Sequence, residues 1–192
     1  MRIVAGEFRG RRLDSPRTRK IRPTPDRVRE ALFSMLAQEL PGAKVLDLFA
    51  GTGALGLEAL SRGAAFSVFV DNDPEALRLI YSNIRRCGVE VRTRVIAAPA
   101  EAALSLMADE GSVFDLIFMD PPYGKGHLET LLPQLHRIAG AATLVIAEHH
   151  TKDILPPTCG IWLRFKQRFY GDTAISIYSP LCDNPEDLKS AR

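Results

Sequence analysis

Residues 45–56 read VLDLFAGTGALG. The run begins as a buried apolar strand, carries an acid at Asp47, and turns through Gly51, Gly53 and Gly56 into a helical pattern. The three glycines satisfy G-x-G-x-x-G, and Asp71, twenty residues beyond Gly51, closes the next apolar run where an acid that binds a ribose belongs. Such a strand, turn and helix suits the nucleoside half of a cofactor. A dinucleotide would set its pyrophosphate on the helix N-terminus, and an acid at Asp47 opposes that charge. A ligand with an ammonium or sulfonium beside the turn is favoured by the same acid.

Outward from this stretch, apolar runs alternate with helical periodicity. Residues 45–49, 66–70, 91–96, 114–119 and 143–147 read as strands buried on both faces. Residues 54–62, 74–86, 100–109 and 128–138 carry apolar positions at helical spacing. Asp73-Pro74-Glu75 is a helix start, with an N-cap acid, proline at the first position and a first-turn acid. Repeated strand and helix predict an α/β, doubly wound, mostly parallel sheet. Residues 161–169 and 173–179, joined by Tyr170-Gly171-Asp172, predict a closing antiparallel hairpin. At the front, residues 2–13 predict a short hairpin. Thr24-Pro25-Asp26 caps a helix whose face is Val28, Ala31, Leu32, Met35 and Leu36. The expected organisation is a basic arm over 1–23, one domain over 24–179, and a disordered tail over 180–192.

A chain of 192 residues with 46% hydrophobic and 25% charged residues builds a single globular core and excludes fibrous or wholly disordered classes. No apolar run is long enough for a membrane span, and no exported leader is expected. Cys87, Cys159 and Cys182 lack metal or disulfide spacing, so free thiols in a reducing cytoplasm and no metal are expected. The net charge of +2 conceals an asymmetry. Residues 1–29 hold ten Lys or Arg against three acids, a balance of +7 that leaves −5 on the remainder. A basic arm on an acidic body suits a phosphate-rich partner, and Arg9, Arg11, Arg12, Arg17, Arg19, Lys20 and Arg22 are its candidate contacts. A solvated, frayed terminus would have the same composition.

Asp120-Pro121-Pro122-Tyr123 follows the fourth strand, at the carboxyl edge where doubly wound sheets bind ligands. The exocyclic amine of a nucleobase is a poor nucleophile because its lone pair is delocalised into the ring. A carboxylate (Asp120) and a fixed carbonyl (Pro121) that accept its hydrogens turn the lone pair outward. Pro122 stiffens the loop, and Tyr123 offers a face for an extruded base. Amine methylation by positioning follows from that set.

The stretches at 49–60 (FAGTGALGLEAL) and 120–123 (DPPY), with RIVAGEFRGRRL at 2–13, RPTPDRVREALFSML at 22–36 and YGDTAISIY at 170–178, resemble the bacterial small-subunit ribosomal RNA guanine-N2 methyltransferases. The resemblance implies a class I methyltransferase fold with a seven-stranded sheet and S-adenosylmethionine as cofactor. It also implies a guanine of small-subunit RNA, naked or in an assembling particle, as target. Carried over by residue, it implies that Asp47, Phe49, Ala50, Gly51, Thr52 and Gly53 meet the methionine side. Asp71 would meet the ribose, Asn72 and Ala100 the adenine side, and Thr24 the methionine end. Pro99 stands where this family usually has an Asp or Asn for the adenine amine, so a backbone carbonyl or Glu101 is expected there. A cytoplasmic monomer is expected.

DPPY alone is shared with adenine-N6 methyltransferases of RNA and DNA, which therefore stay open. An NAD-dependent oxidoreductase would leave Asp47 and DPPY unused. Glutamine-amide methylation normally uses Asn in place of Asp120, and a noncatalytic RNA-binding module needs no such acid. His149 and His150 are expected to edge the cleft, His127 and His136 to be ordinary helix residues, and Phe33 and Trp162 to be packing residues.

Overall fold

A computed structural model describes residues 1–16, 26–124 and 126–181. The Thr24 cap, Arg17, Arg19, Lys20, Arg22, Cys182 and the tail from 182 lie outside the described residues.

The strands are β1 (Lys44–Asp47), β2 (Phe66–Asp71), β3 (Thr93–Ala97), β4 (Phe114–Met119), β5 (Ala139–His150), β6 (Thr158–Cys159), β7 (Trp162–Tyr170) and β8 (Thr173–Pro180). They form one sheet in the order β3-β2-β1-β4-β5-β8-β7-β6. The first five are parallel, and β8, β7 and β6 add antiparallel pairs. Helices α1 (Asp26–Met35), α2 (Ala54–Ser61), α3 (Pro74–Cys87), α4 (Ala100–Asp109) and α5 (His127–Leu131) accompany them. The start of α3 follows its sequence: Asp73 accepts from the Glu75 and Ala76 amides at 2.8 and 3.0 Å, and Gly88 ends the helix at φ 67°. One core, with Phe33, Leu57, Phe69 and Phe118, lies on the α1, α2 and α3 face; the other, with Leu104, Ile117, Leu135 and Trp162, lies opposite. Phe33 and Trp162 are packing residues, as their surroundings require.

Five expectations change, the first being the doubly buried strand over 91–96: β3 starts at Thr93 after a 3-10 turn that leaves Val91 exposed, and only Ile96 in it is buried because it is an edge strand of the sheet. The sheet has eight strands among the described residues rather than seven, because the two residues of β6 pair with Leu163 and Trp162 at the start of β7. The helix expected over 128–138 stops at Leu131 and continues as a 3-10 segment, Leu132–Ile138. Pro133 removes an amide from the middle of that pattern. Strand β5 starts at Ala139, not 143, since pairing of Phe114 with Ala139 recruits an Ala/Gly-rich lead with little strand propensity of its own. The front hairpin reduces to one bridge, Arg2 with Arg12.

That front segment is nevertheless docked. Ile3, Phe8 and Leu13 are buried in the α1-side core. The Val4 and Ala5 amides donate to Glu58 Oε2 and Oε1 at 2.7 and 3.0 Å, and the Phe8 amide to Ser61 Oγ at 2.9 Å. Asn83 ties the Asp14 backbone and the Thr52 carbonyl together through three bonds of 2.7 to 3.1 Å. Glu58 is fully buried and also pairs with Arg62 at 2.8 Å. Glu58→Ala strands two backbone amides and a guanidinium, and is expected to cost about 3 kcal/mol of unfolding free energy in denaturant titration. A loss below about 0.5 kcal/mol, the range of ordinary surface changes, would show that the segment does not hold the fold.

Candidate active site

Strand order reverses at β1, which lies between β2 and β4, so the loops leaving β1 and β4 open side by side at the carboxyl edge. The β1 loop is pinned from both neighbours. The Leu48 amide donates to the Phe118 carbonyl and the Ala50 amide to the Val70 carbonyl, both at 3.0 Å. Gly51 and Gly53 adopt φ of 56° and 76°, backbone that side chains disfavour. Gly56 serves contact instead: a Cβ there would come within 2.4 Å of the Phe69 ring.

Asp47 is 1% exposed. Its Oδ2 accepts the Gly56 amide at 3.1 Å, and its Oδ1 has no hydrogen-bond partner among the described residues. Burial pushes this carboxyl up to about 7, with the Asp71 carboxylate adding to the shift. Asp71, half-buried, accepts the Gly51 amide at 2.8 Å and the Asp73 amide at 2.9 Å, so it shapes the loop while keeping acceptor capacity. Thr52 is buried, with its carbonyl held by Asn83. Phe49 packs on the second core and meets the His127 ring at 5.4 Å. Ala50, Gly53 and Ala100 are buried, Asn72 is exposed, and Pro99 and Glu101 are exposed at the start of α4. A buried acid with a spare oxygen beside a glycine turn, and a second acid one strand away, fit a cationic nucleoside. Among the described residues no cluster of three or more His, Cys, Asp or Glu is placed to hold a metal ion.

Across the cleft, Asp120 is half-buried, Pro121 buried, Pro122 exposed and Tyr123 40% exposed. The Tyr123 hydroxyl lies 3.5 Å from both Glu148 Oε1 and Thr173 Oγ1, and its ring meets His150 edge-on at 5.8 Å. His149 is buried, and its Nε2 shares a 2.9 Å bond with Ser176 Oγ. Burial holds its pKa below the usual imidazole value. His150 thus lies beside Tyr123, whereas His149, expected to edge the cleft as well, is held inside against Ser176. His127 does more than expected of a helix residue, since it lines the loop's rear wall. Behind the loop, Pro121, Tyr123, His127, Glu148 and Asp153 border a cavity of about 40 Å³, room for a water or two and not a base.

Glu148 was not singled out in the sequence, although a signal exists. Like β1, β2 and β4, the apolar run of β5 gives way to an acid at the carboxyl edge. Glu58, Ser61 and Asn83 had no signal, because their partners are backbone groups 31 to 69 residues away.

Of the described arm candidates, Arg9 and Arg11 lie away from this cleft. Arg92, which pairs with Glu7 at 3.1 Å, precedes β3, and Ser61 and Arg86 end α2 and α3. These points mark the amino edge of the parallel strands, opposite Asp120. Arg11 donates to the Arg86 carbonyl at 2.7 Å and stacks over Phe8; Arg9 and Arg12 are exposed.

The family described as Conserved hypothetical protein 95 matches residues 1–179. Ribosomal RNA small subunit methyltransferase D of Escherichia coli K12 is 35% identical over 180 residues, covering 93% of this chain and 89% of that protein. The protein of the same name from Haemophilus influenzae is 31% identical over 183 residues, covering 93% of each. A solved hypothetical protein of Thermus thermophilus superposes with a TM-score of 0.79 at 37% identity, covering 92% of this chain and 98% of its own.

The raised pKa of Asp47 has a signed consequence for stability. A carboxyl whose folded value is about 7, against about 4 unfolded, favours the folded state when protonated and loses that advantage as pH rises from 4 to 7. Asp47→Asn keeps the acceptor for Gly56 and cannot ionise. Between pH 5 and pH 8 the wild type is expected to lose roughly 2–3 kcal/mol relative to this variant in denaturant titrations. Parallel pH profiles would contradict the burial of an ionisable group there.

Proposed function

The chain belongs to the Conserved hypothetical protein 95 family, and from that premise we propose that it methylates the exocyclic N2 of one guanine in small-subunit ribosomal RNA. The observation that carries this reading is the side-by-side exit of the Asp47–Gly53 turn and the Asp120–Tyr123 loop at the switch point of the sheet. S-adenosylmethionine is the methyl donor, and when bound it supplies an electrophilic methyl on a sulfonium. The spare Oδ1 of Asp47 suits its ammonium, the Asp71 carboxylate its ribose hydroxyls, and Phe49, Ala50, Gly51 and Thr52 the wall between them. Asn72 and Ala100 suit the adenine side; Thr24, expected at the methionine end, lies outside the described residues. With Pro99 exposed and without an acid side chain, the adenine amine is left to a backbone carbonyl of that turn.

On the substrate side, Asp120 and the Pro121 carbonyl accept the two hydrogens of the guanine amine, so that its lone pair faces the methyl group. Transfer of the methyl group would break its bond to the sulfonium and leave a neutral thioether, and the one proton the amine loses would pass to the Asp120 carboxylate. Pro122 keeps the loop from rearranging, and Tyr123, braced by Glu148 and Thr173, stacks on the extruded base. Its half-exposed ring supports that role. Adenine-N6 methylation uses the same loop and is the second reading. An oxidoreductase is disfavoured by the buried acid at Asp47, which repels a pyrophosphate.

The decisive experiment is methyl transfer from labelled S-adenosylmethionine to naked ribosomal RNA, to small subunits lacking the modification, and to DNA, followed by nucleoside analysis. N2-methylguanosine in RNA is the expected product; N6-methyladenosine, or transfer to DNA alone, would overturn the assignment. Asp120→Ala is expected to lower turnover at least about 100-fold with unchanged cofactor affinity in calorimetry. For the arm, Arg9 and Arg12 are the described cations exposed for phosphate contact. Replacing both with Ala is expected to flatten the log–log salt dependence of RNA binding by roughly 1.4 to 1.8. An unaltered slope would remove them from the interface.

A further inference from the structure

A second, larger cavity lies on the other side of Tyr123, at the tip of the β7–β8 hairpin. Arg27 and Val28 of α1 and Phe169, Tyr170 and Gly171 of the hairpin line about 380 Å³, within the roughly 300–1,000 Å³ of ligand-sized sites. It adjoins the catalytic loop, because Tyr170 pairs with Thr173, whose hydroxyl is 3.5 Å from that of Tyr123. Its chemistry is aromatic and cationic. Phe169 is 62% exposed and Arg27 is exposed. Beyond Leu163, β7 has no strand on its outer side among the described residues, and that stretch carries Arg164, Lys166 and Arg168.

Charged residues on an open edge strand discourage edge-to-edge pairing between molecules. An aromatic left in water at the end of the same edge works against that protection, so the edge charges alone do not account for Phe169. An exposed aromatic and an arginine at the same cavity, Phe169 and Arg27, are components that hold an unpaired nucleotide, the ring on a base face and the guanidinium on a phosphate, while Tyr170, next along the strand, packs on the α1-side core.

We propose that this cavity binds an unpaired nucleotide of the RNA next to the target base, stacked on Phe169 with its phosphate toward Arg27. The proposal rests on the RNA methyltransferase reading and extends it. The substrate strand crosses the carboxyl edge of the sheet from Tyr123 to the hairpin tip, whereas Arg9 and Arg11 sit at the opposite edge.

Phe169→Leu removes the π face and keeps an apolar side chain; Phe169→Tyr keeps both the ring and its plane. The probe is whichever RNA form, naked or in small subunits, the wild type methylates. Phe169→Leu is expected to raise Kd and KM for that RNA about 5- to 150-fold. Its kcat, S-adenosylmethionine affinity, melting temperature and salt slope should stay at wild-type values, and Phe169→Tyr should behave as wild type throughout. Arg27→Gln should instead flatten the salt slope. Wild-type Kd and KM in Phe169→Leu would overturn the proposal. So would a lowered melting temperature with unchanged RNA affinity, which would assign Phe169 to packing within the chain. Failure of the wild type to methylate any RNA would defeat the underlying reading as well, an outcome visible before any variant is made.

Discussion

At Gly56 the helix that follows the first strand lies so close to β2 that a single added carbon would collide with Phe69 and Ser67. The contact draws the N-terminal turn of α2 onto the end of β1, where the Gly56 amide reaches the Asp47 carboxylate. The other two glycines follow from it, since the chain must reverse within a few residues and does so through positive φ at Gly51 and Gly53. With the turn held this tightly, Asp71 on the neighbouring strand bonds the Gly51 amide and the two acids come to flank one site. The Asp47 carboxyl thereby enters a dry environment and becomes hard to ionise. A cation beside it would favour the ionised form, so the burial that raises this pKa also leaves the carboxyl in want of a positive partner.

A second constraint organises the front of the molecule. The amino-terminal segment has too few residues for a sheet of its own, and it satisfies its amides on side chains of α2 and α3. Glu58 is the centre of that arrangement, a buried acid whose oxygens are taken by two amides and Arg62. Through Asn83 the same network reaches the Thr52 carbonyl in the cofactor turn. Docking of the arm and shaping of the turn are therefore mechanically joined. The positive charge counted in the first 29 residues is divided between structural contacts, such as Arg11 on the Arg86 carbonyl, and exposed groups such as Arg9 and Arg12.

The carboxyl edge collects acids from four strands in turn, Asp47, Asp71, Asp120 and Glu148. Each has a different environment, and that difference separates their uses. Asp47 is buried, Asp71 is engaged with backbone amides, Asp120 is half-buried at the end of β4, and Glu148 lies under Tyr123. Beyond Tyr123 the hairpin tip adds aromatic and cationic groups, so the edge passes from acidic to basic along the direction in which β4, β5, β8 and β7 follow one another.

The sequence by itself determined the parallel α/β core, the glycine turn after the first strand and the Asp120–Tyr123 loop after the fourth, because each is local. Buried strands read as apolar runs, a glycine turn needs its glycines within six residues, and Asp120 to Tyr123 are consecutive. The Asp73 cap of α3 was legible for the same reason. Tertiary structure alone decided what depends on partners far apart in the chain. The Ala/Gly-rich start of β5 becomes strand only when β4 offers it a ladder. Glu58 and Asn83 matter only because backbone amides and carbonyls 31 to 69 residues away need partners. Asp47 acquires its raised pKa only when packing removes its water. The direction of the basic arm was also beyond composition, since counting charges carries no information about which edge of the sheet they face.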